Sequence, residues 1–196
     1  MTTYSDANWA SSTENRKSTS GGVIMHGEHY VKSWSKTQSL VALSSAESEL
    51  YALVKASAES LGLKSTLHDM DKNLGVLIYS DASAALGVIQ RQGLGKLRHV
   101  DCSFLFVQGL NARKVIQYSK VAGLENPADL GTKGLAFDAI LKHVTFVQAD
   151  FRDGRPELCP KVLNRLTSKE DSPRGGARRT PLRSRFGFAG TAAPRS

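Results

Sequence analysis

The alternation of apolar runs with turn signals predicts a chain that begins with strands and continues with alternating helices and strands. The short apolar run VLIY is uninterrupted, which is typical of a strand buried in a parallel part of a sheet. The second and third strands are separated only by Gly27-Glu28, which predicts a hairpin. The predicted strands are residues 2–6, 21–26, 29–34, 76–79 and 114–119.

The clearest helix signal lies in the segment LSSAESELYALVKASAESLGL, where apolar and small residues repeat at helical spacing. Ser44 followed three residues later by Glu47 predicts a capping box that begins this helix. Further helices are predicted at residues 82–90, at residues 100–110 and near Pro127, which suits a first helical turn. The residues on one face of the first helix are Ala46, Leu50, Leu53, Val54, Ser57 and Leu61. This order of elements predicts an α/β fold with a sheet of mixed direction.

The composition changes towards the C-terminus. After Ser168 the chain is rich in Gly, Pro, Arg and Ser and poor in aliphatic residues, so it cannot bury enough apolar surface to offset its ordering entropy. We therefore predict a folded domain at residues 1–136, a C-terminal extension with helical character at residues 137–167, and a disordered basic tail at residues 168–196.

The charge of the chain is concentrated in the same region. The formal net charge is +8, and residues 152–196 contain 11 Lys/Arg against four Asp/Glu. Most of the positive charge therefore belongs to the tail, which predicts weak, salt-sensitive attraction to polyanions. It does not by itself indicate a nucleic-acid site on the folded domain.

Several classes of protein are disfavoured. No apolar stretch is long enough to span a bilayer, and the N-terminus lacks the pattern of a secretory signal, so we expect a cytoplasmic or nuclear protein without a membrane partner. Cys102 and Cys159 stand alone, without the spacing of a disulfide framework or a zinc site.

Four carboxylates stand at predicted strand ends and helix starts, namely Asp6, Glu49, Asp81 and Asp129. In an open α/β sheet, functional groups collect at the carboxyl ends of strands, so Asp6 and Asp81 lie close together if their strands are neighbours. Clustered carboxylates repel one another unless a cation is present. Oxygen donors without His or Cys point to magnesium or manganese.

Each acid also has a simple structural interpretation. Asp81 suits a helix cap, Asp6 a turn, and Asp129 the N-terminus of a helix. Glu47 and Glu49 suit solvated charges on a helix surface, and Glu47 does so especially because of its capping role.

Seven sequence blocks occur in a specific order across residues 3–135. They are YSDANWA, RKSTSGG, SWSKTQ, VALSSAESELYAL, IYSDASAAL, LRHVDCSFLFV and NPADLGTKGL. In this order the chain resembles the ribonuclease H domain that closes the polyprotein of copia-type retrotransposons, a class of LTR retroelement. The resemblance implies a ribonuclease H-like fold, with a five-stranded mixed sheet that opens with three antiparallel strands and is flanked by helices.

The resemblance also implies an active site and a reaction. Asp6 matches the aspartate of the first strand, Glu49 the glutamate of the helix, Asp81 the aspartate that ends the fourth strand, and Asp129 the aspartate of the last helix. The implied reaction is hydrolysis of the RNA strand of an RNA–DNA hybrid with two Mg²⁺ or Mn²⁺ ions. Asp6 would bridge both ions, Asp81 and Glu49 would hold one, and Asp129 would hold the other.

Further residues of the blocks are candidate substrate contacts. Arg16, Lys17 and Ser18 suit backbone phosphates, although a plain loop is an equally good interpretation. Lys36 and Gln38 suit the hybrid groove beside Trp34, which itself suits the core. His99 suits product release or substrate positioning, with a structural role as the alternative.

The resemblance implies that the chain is a piece of a polyprotein, with reverse transcriptase and integrase parts as partners. The helix after His99 has apolar residues where the family carries polar ones, which leaves a catalytically decayed relic that binds nucleic acid or merely folds as the main alternative. A different nuclease or a transposase on the same fold is a second alternative.

Overall fold

A five-stranded mixed sheet forms the centre of the computed structural model, which describes residues 1–93, 95 and 102–149. The strands are β1 (Thr2–Asn8), β2 (Thr19–His26), β3 (His29–Thr37), β4 (Leu77–Ser80) and β5 (Gln117–Lys120). Their order across the sheet is β3-β2-β1-β4-β5. The first three strands are antiparallel, and β1, β4 and β5 are parallel. This sheet confirms the predicted α/β architecture, with five strands of mixed direction of which the first three are antiparallel.

Four α-helices accompany the sheet in the described part of the chain. They are α1 (Ser45–Asp69), α2 (Ser83–Gln90), α3 (Phe106–Ala112) and α4 (Phe137–Phe146). The helix predicted at residues 100–110 is instead a 3₁₀ turn at Cys102–Leu105 followed by α3. The helix predicted near Pro127 is a 3₁₀ turn at Pro127–Gly131. None of the described helices is long and apolar enough to cross a membrane.

Local sequence signals place the beginning of α1 and the hairpin as predicted. Ser44 is the N-cap of α1, and its side chain accepts a hydrogen bond from the backbone N–H of Glu47. Gly27 adopts a positive φ of 61° between β2 and β3, a conformation that glycine reaches without strain. His26 pairs with His29 across this turn. The capping box and the hairpin depend on contacts over a few residues, which is why the sequence predicts them well.

Alpha-helix 1 packs across the middle of the sheet through a face of small residues. Ala52, Ala56 and Ser60 are fully buried. The Ser60 hydroxyl lies 2.8 Å from the Thr3 hydroxyl of β1. Small side chains allow the helix backbone to approach the central strand closely, so polar groups on both elements can pair inside the core. The position of α1 over β1 brings its first turns to the carboxyl end of that strand.

Apolar side chains from α1, α2, α3 and the parallel strands form the main core, in which Leu50, Leu53, Ile78, Ile116 and Val107 are fully buried. A smaller cluster joins Val23 and Met25 of β2 to Val147, which follows α4. Trp34 is partly buried against the main core, in line with its interpretation as a core residue.

Gly22 lies opposite Trp34 in the β2–β3 ladder, and a Cβ atom at Gly22 would lie 2.1 Å from Cζ2 of the indole ring. Gly22→Ala is therefore expected to displace the indole and to lower the free energy of unfolding by about 1–3 kcal/mol, measured by urea denaturation. Gly62→Ala is the control, because a Cβ there meets no described atom within 4 Å. Equal stability of Gly22→Ala and the wild type would contradict this packing.

All described residues belong to one compact unit, Met1–Arg152. The predicted extension at residues 137–167 overlaps α4 in its first part, whereas its remainder and the predicted tail at residues 168–196 lie outside the described residues. The predicted domain boundaries stay a prediction.

Candidate active site at the carboxyl end of the parallel strands

Asp6 and Asp81 lie at the same level of two neighbouring parallel strands. Tyr4 of β1 is in register with Tyr79 of β4, and each aspartate lies two residues further along its strand direction. Asp6 is a strand residue with 1% exposure, and Asp81 follows the end of β4. The interpretation of Asp6 as a turn residue is wrong. Asp81 does not cap α2 either, because the N-cap position is Ala82.

Glu49 reaches these two aspartates from the beginning of α1. One carboxylate oxygen each of Asp6, Glu49 and Asp81 lies within 4.8 Å of the others. Oε2 of Glu49 is buried and has no hydrogen-bond partner among the described residues. Three acids from separate parts of the sequence are thus gathered at one point, and one of their oxygens is left without a partner.

Burial and the crowding of carboxylates raise the pKa of Glu49. Burial, followed by the charges of Asp6 and Asp81, raises the pKa of Glu49 to about 8, although a backbone hydrogen bond from Ala7 and the charge of Lys133 oppose the rise. Burial penalises the ionised form, and two neighbouring carboxylates penalise it further. The cluster therefore favours any species that supplies positive charge.

Asp129 is placed beside the cluster by the 3₁₀ turn at Pro127–Gly131. The fully buried Asn126 caps this turn: its side-chain oxygen accepts from the Ala128 N–H at 3.2 Å, and its Nδ2 donates to the Ser5 carbonyl at 3.0 Å. This pair of hydrogen bonds fixes the turn to β1. Burial raises the pKa of Asp129, with further contributions from Asp6 and Asp81 and an opposing hydrogen bond from Lys133.

Thr132 and Lys133, which directly follow this turn, contact the carboxylates of the cluster. The Thr132 hydroxyl donates a short hydrogen bond to Oδ2 of Asp6. Nζ of Lys133 lies 3.1 Å from Oδ1 of Asp6 and 2.8 Å from Oδ1 of Asp129. Burial lowers the pKa of Lys133, but the hydrogen bond to Asp129 and the charge of Asp6 outweigh it and leave the pKa raised. Neither Thr132 nor Lys133 is among the predicted site residues, although Lys133 stands four residues after Asp129 in the matched NPADLGTKGL block.

Glu47 differs from its predicted environment. It is 2% exposed, its Oε2 accepts a hydrogen bond from the Leu43 N–H at 2.9 Å, and its Oε1 accepts one from the Tyr51 hydroxyl. The interpretation of Glu47 as a solvated surface charge is therefore wrong, while its capping role holds. These hydrogen bonds tie Glu47 to the entry of α1 and leave Glu49 as the glutamate that joins the cluster.

The predicted substrate contacts fall into three groups. Arg16 and Lys36 are exposed, and Lys17 is partly exposed. Ser18 and Gln38 are buried and bonded internally: the Ser18 hydroxyl accepts from the Ala10 N–H, and Gln38 Nε2 donates to the Ser20 hydroxyl and the Ser48 carbonyl. Their positions suit a supporting role more than direct contact. His99 lies outside the described residues.

The acidic cluster fits a divalent cation. Its donors are all carboxylate oxygens, which suit magnesium or manganese. The unpartnered Oε2 of Glu49 is available as a donor, and a cation would offset the repulsion from Asp6 and Asp81 that contributes to the raised pKa of Glu49. Asp6, Glu49 and Asp81 would hold the ion. Asp129 is linked to Asp6 through the ammonium group of Lys133, which contacts both carboxylates.

Comparison of the sequence with known proteins finds relatives among transposon polyproteins. The chain is 27% identical over 132 residues to the retrovirus-related Pol polyprotein from transposon TNT 1-94 of Nicotiana tabacum, an alignment that covers 66% of this chain. It is 27% identical over 136 residues to the corresponding polyprotein from transposon RE2 of Arabidopsis thaliana, covering 68% of this chain. The chain spans only 10% and 9% of the length of these two relatives.

A shorter match has higher identity. Over 60 residues, 31% of this chain, it is 47% identical to secreted RxLR effector protein 161 of Plasmopara viticola, and the match covers 42% of that protein. No family model matches the chain.

Comparison with solved structures finds ribonucleases H1. LC11 ribonuclease H1 in complex with an RNA/DNA hybrid has 15% identity and a TM-score of 0.47, with 67% of this chain and 92% of that chain covered. Ribonuclease H1 from the halophilic archaeon Halobacterium salinarum has 16% identity, a TM-score of 0.43 and the same coverage. The sequence relatives confirm the predicted resemblance: the chain is similar to a segment of the Pol polyproteins of plant retrotransposons.

Proposed function

We propose that this chain is a metal-dependent endonuclease of a copia-type retrotransposon that hydrolyses the RNA strand of RNA–DNA hybrids. The observation that carries the proposal is the convergence of Asp6, Glu49 and Asp81 to within 4.8 Å at the carboxyl end of two parallel strands. These acids occupy the positions that the ordered sequence blocks assign to catalysis. The relatives among Pol polyproteins support the same origin.

In this proposal the acids hold Mg²⁺ or Mn²⁺. Asp6, Glu49 and Asp81 would hold a first ion, and Asp129 together with Asp6 would hold a second. When bound, the metal activates water and stabilises the leaving oxygen of the phosphodiester. The contribution of the protein is to hold the carboxylates in place before the substrate arrives, which Asn126 does for the segment of Asp129 and the Ala7 backbone does for Glu49.

Substrate recognition in this proposal relies on the backbone of the hybrid. The exposed Arg16 and Lys36 and the partly exposed Lys17 supply positive charge for phosphates, whereas Ser18 and Gln38 support the segments that carry them. Recognition of RNA depends on 2′-hydroxyl groups and the shape of the hybrid, with little reading of bases. Reverse transcriptase and integrase parts of a polyprotein are the proposed protein partners.

The test is cleavage of an end-labelled RNA–DNA hybrid by the purified full chain in Mg²⁺ or Mn²⁺, beside duplex DNA and a reaction with chelator. Metal-dependent cutting of the RNA strand alone is the expected result. Cutting of duplex DNA would indicate a different nuclease on the same fold. A folded chain that cuts neither substrate would indicate a catalytically decayed domain.

A further inference from the structure

Lys133 places a positive charge between two of the four candidate metal ligands. Its Nζ contacts Oδ1 of Asp6 at 3.1 Å and Oδ1 of Asp129 at 2.8 Å. Both carboxylates are largely removed from solvent, with side-chain exposures of 1% and 12%. The ammonium group thus bridges two buried acids, as a small cation would.

The backbone keeps Lys133 close to this position. Its N–H donates to the Asp129 carbonyl at 3.0 Å at the end of the 3₁₀ turn, so the lysine and the aspartate belong to the same local structure. The Thr132 hydroxyl occupies the other oxygen of Asp6. Lys133 itself is 38% exposed, and a long flexible side chain at such a position has room to turn into solvent.

The two sides of the acidic cluster differ in whether their carboxylate oxygens already have a partner. Between Asp6 and Asp129, the oxygens that face each other are neutralised by Lys133. On the side of Glu49, Oε2 is buried and has no partner among the described residues. A cation that binds with Glu49 meets an unpartnered oxygen there, whereas a cation that uses Asp6 and Asp129 must replace an existing ion pair.

We propose that the Lys133 ammonium group competes with the second divalent cation for the oxygens of Asp6 and Asp129. An ammonium group and a metal ion cannot occupy the same space between two carboxylates, and their charges repel each other. The first ion therefore binds before the second, and the second binds only when Lys133 turns away. This inference rests on the proposed function, because it needs a metal at the cluster.

The test is calorimetric titration of the full chain with Mn²⁺ at constant ionic strength. Lys133→Met keeps the length of the side chain and removes its charge, and Lys133→Arg keeps the charge as the matched control. We expect the Lys133→Met chain to bind a second ion at least tenfold more tightly than the wild type, and the Lys133→Arg chain to behave as the wild type. Adding Asp129→Asn to Lys133→Met is expected to remove the second ion again. Circular dichroism establishes that each variant is folded, with Lys133→Gln replacing Lys133→Met if that variant is not.

The outcomes separate this inference from the proposed function. One ion in the wild type and a tightened second ion in Lys133→Met support the inference. Equal second-ion affinity in the wild type and Lys133→Met overturns it while the first ion, and with it the metal site, remains. Absence of any bound ion in all variants overturns the metal site itself and therefore both proposals.

Discussion

Asp81→Asn is expected to lower the rate of hybrid cleavage by about a hundredfold to a thousandfold while the chain stays folded. The amide has the shape of the carboxylate but lacks the charge that holds a cation, and loss of one preorganised charge stabiliser typically costs about 10²–10³ in kcat. Asp81 lies beyond the end of β4 and does not cap α2, so no structural hydrogen bond of that helix depends on it. The measurements are cleavage of the labelled hybrid and thermal unfolding of the same preparation.

Asp69→Asn is the matched control for this substitution. Asp69 is exposed at the last position of α1, 20 residues after Glu49, which corresponds to about 30 Å along a helix. Wild-type activity is expected for this variant. If Asp81→Asn unfolds the chain, then Asp81 is structural; if it is folded and cuts as fast as the wild type, then the acidic cluster is not the active site.

Glu49→Gln is expected to stabilise the metal-free chain at pH 8 by on the order of 3 kcal/mol and to leave its stability near pH 4.5 almost unchanged. Burial, with the charges of Asp6 and Asp81, raises the pKa of Glu49 from 4.5 to about 8 in the folded state. Between these two values the folded state holds a proton that the unfolded state releases. The contribution of this group to stability is therefore fully present below about pH 4.5 and is lost as the pH rises towards 8.

The measurement is urea denaturation in chelator at pH 4.5, 6 and 8, in which the difference between Glu49→Gln and the wild type isolates this one group. Glu14→Gln, the same substitution at an exposed loop position, is the control. Addition of Mg²⁺ at pH 8 is expected to stabilise the wild type more than Glu49→Gln, because a cation offsets the repulsion among the carboxylates. A pH-independent difference between the two chains would show that Glu49 is not held in a strained charge cluster.

Structures that depend on signals within a few residues of the sequence are predicted well. The hairpin at Gly27-Glu28 and the helix start at Ser44 both appear where the sequence places them. Strand ends were less accurate: β5 begins at Gln117 instead of residue 114, although Ile116 is fully buried just before it. An apolar residue can be buried in the core without being hydrogen-bonded to a neighbouring strand. The limits of the apolar run and of the paired strand therefore fall at different residues.

The candidate site was predicted in part. The apolar pattern predicts that Asp6 and Asp81 lie at strand ends, but their proximity depends on β1 and β4 being neighbours, which is decided by the order of strands in the sheet. Glu47 and Glu49 stand two residues apart on one helix, and only the direction of each side chain in the folded chain separates the capping glutamate from the one in the cluster.

The sequence by itself determined the hairpin, the beginning of α1 and the identity of the candidate acids, because these depend on local signals and on the ordered motif blocks. Only the tertiary structure decided which charges meet. Lys133 reaches Asp6 across 127 residues of chain, and Thr132 and Asn126 bond to β1 across similar separations. Such contacts have no local signal, since they arise when the last turn packs against the first strand, and the electrostatics of the cluster follow from that packing.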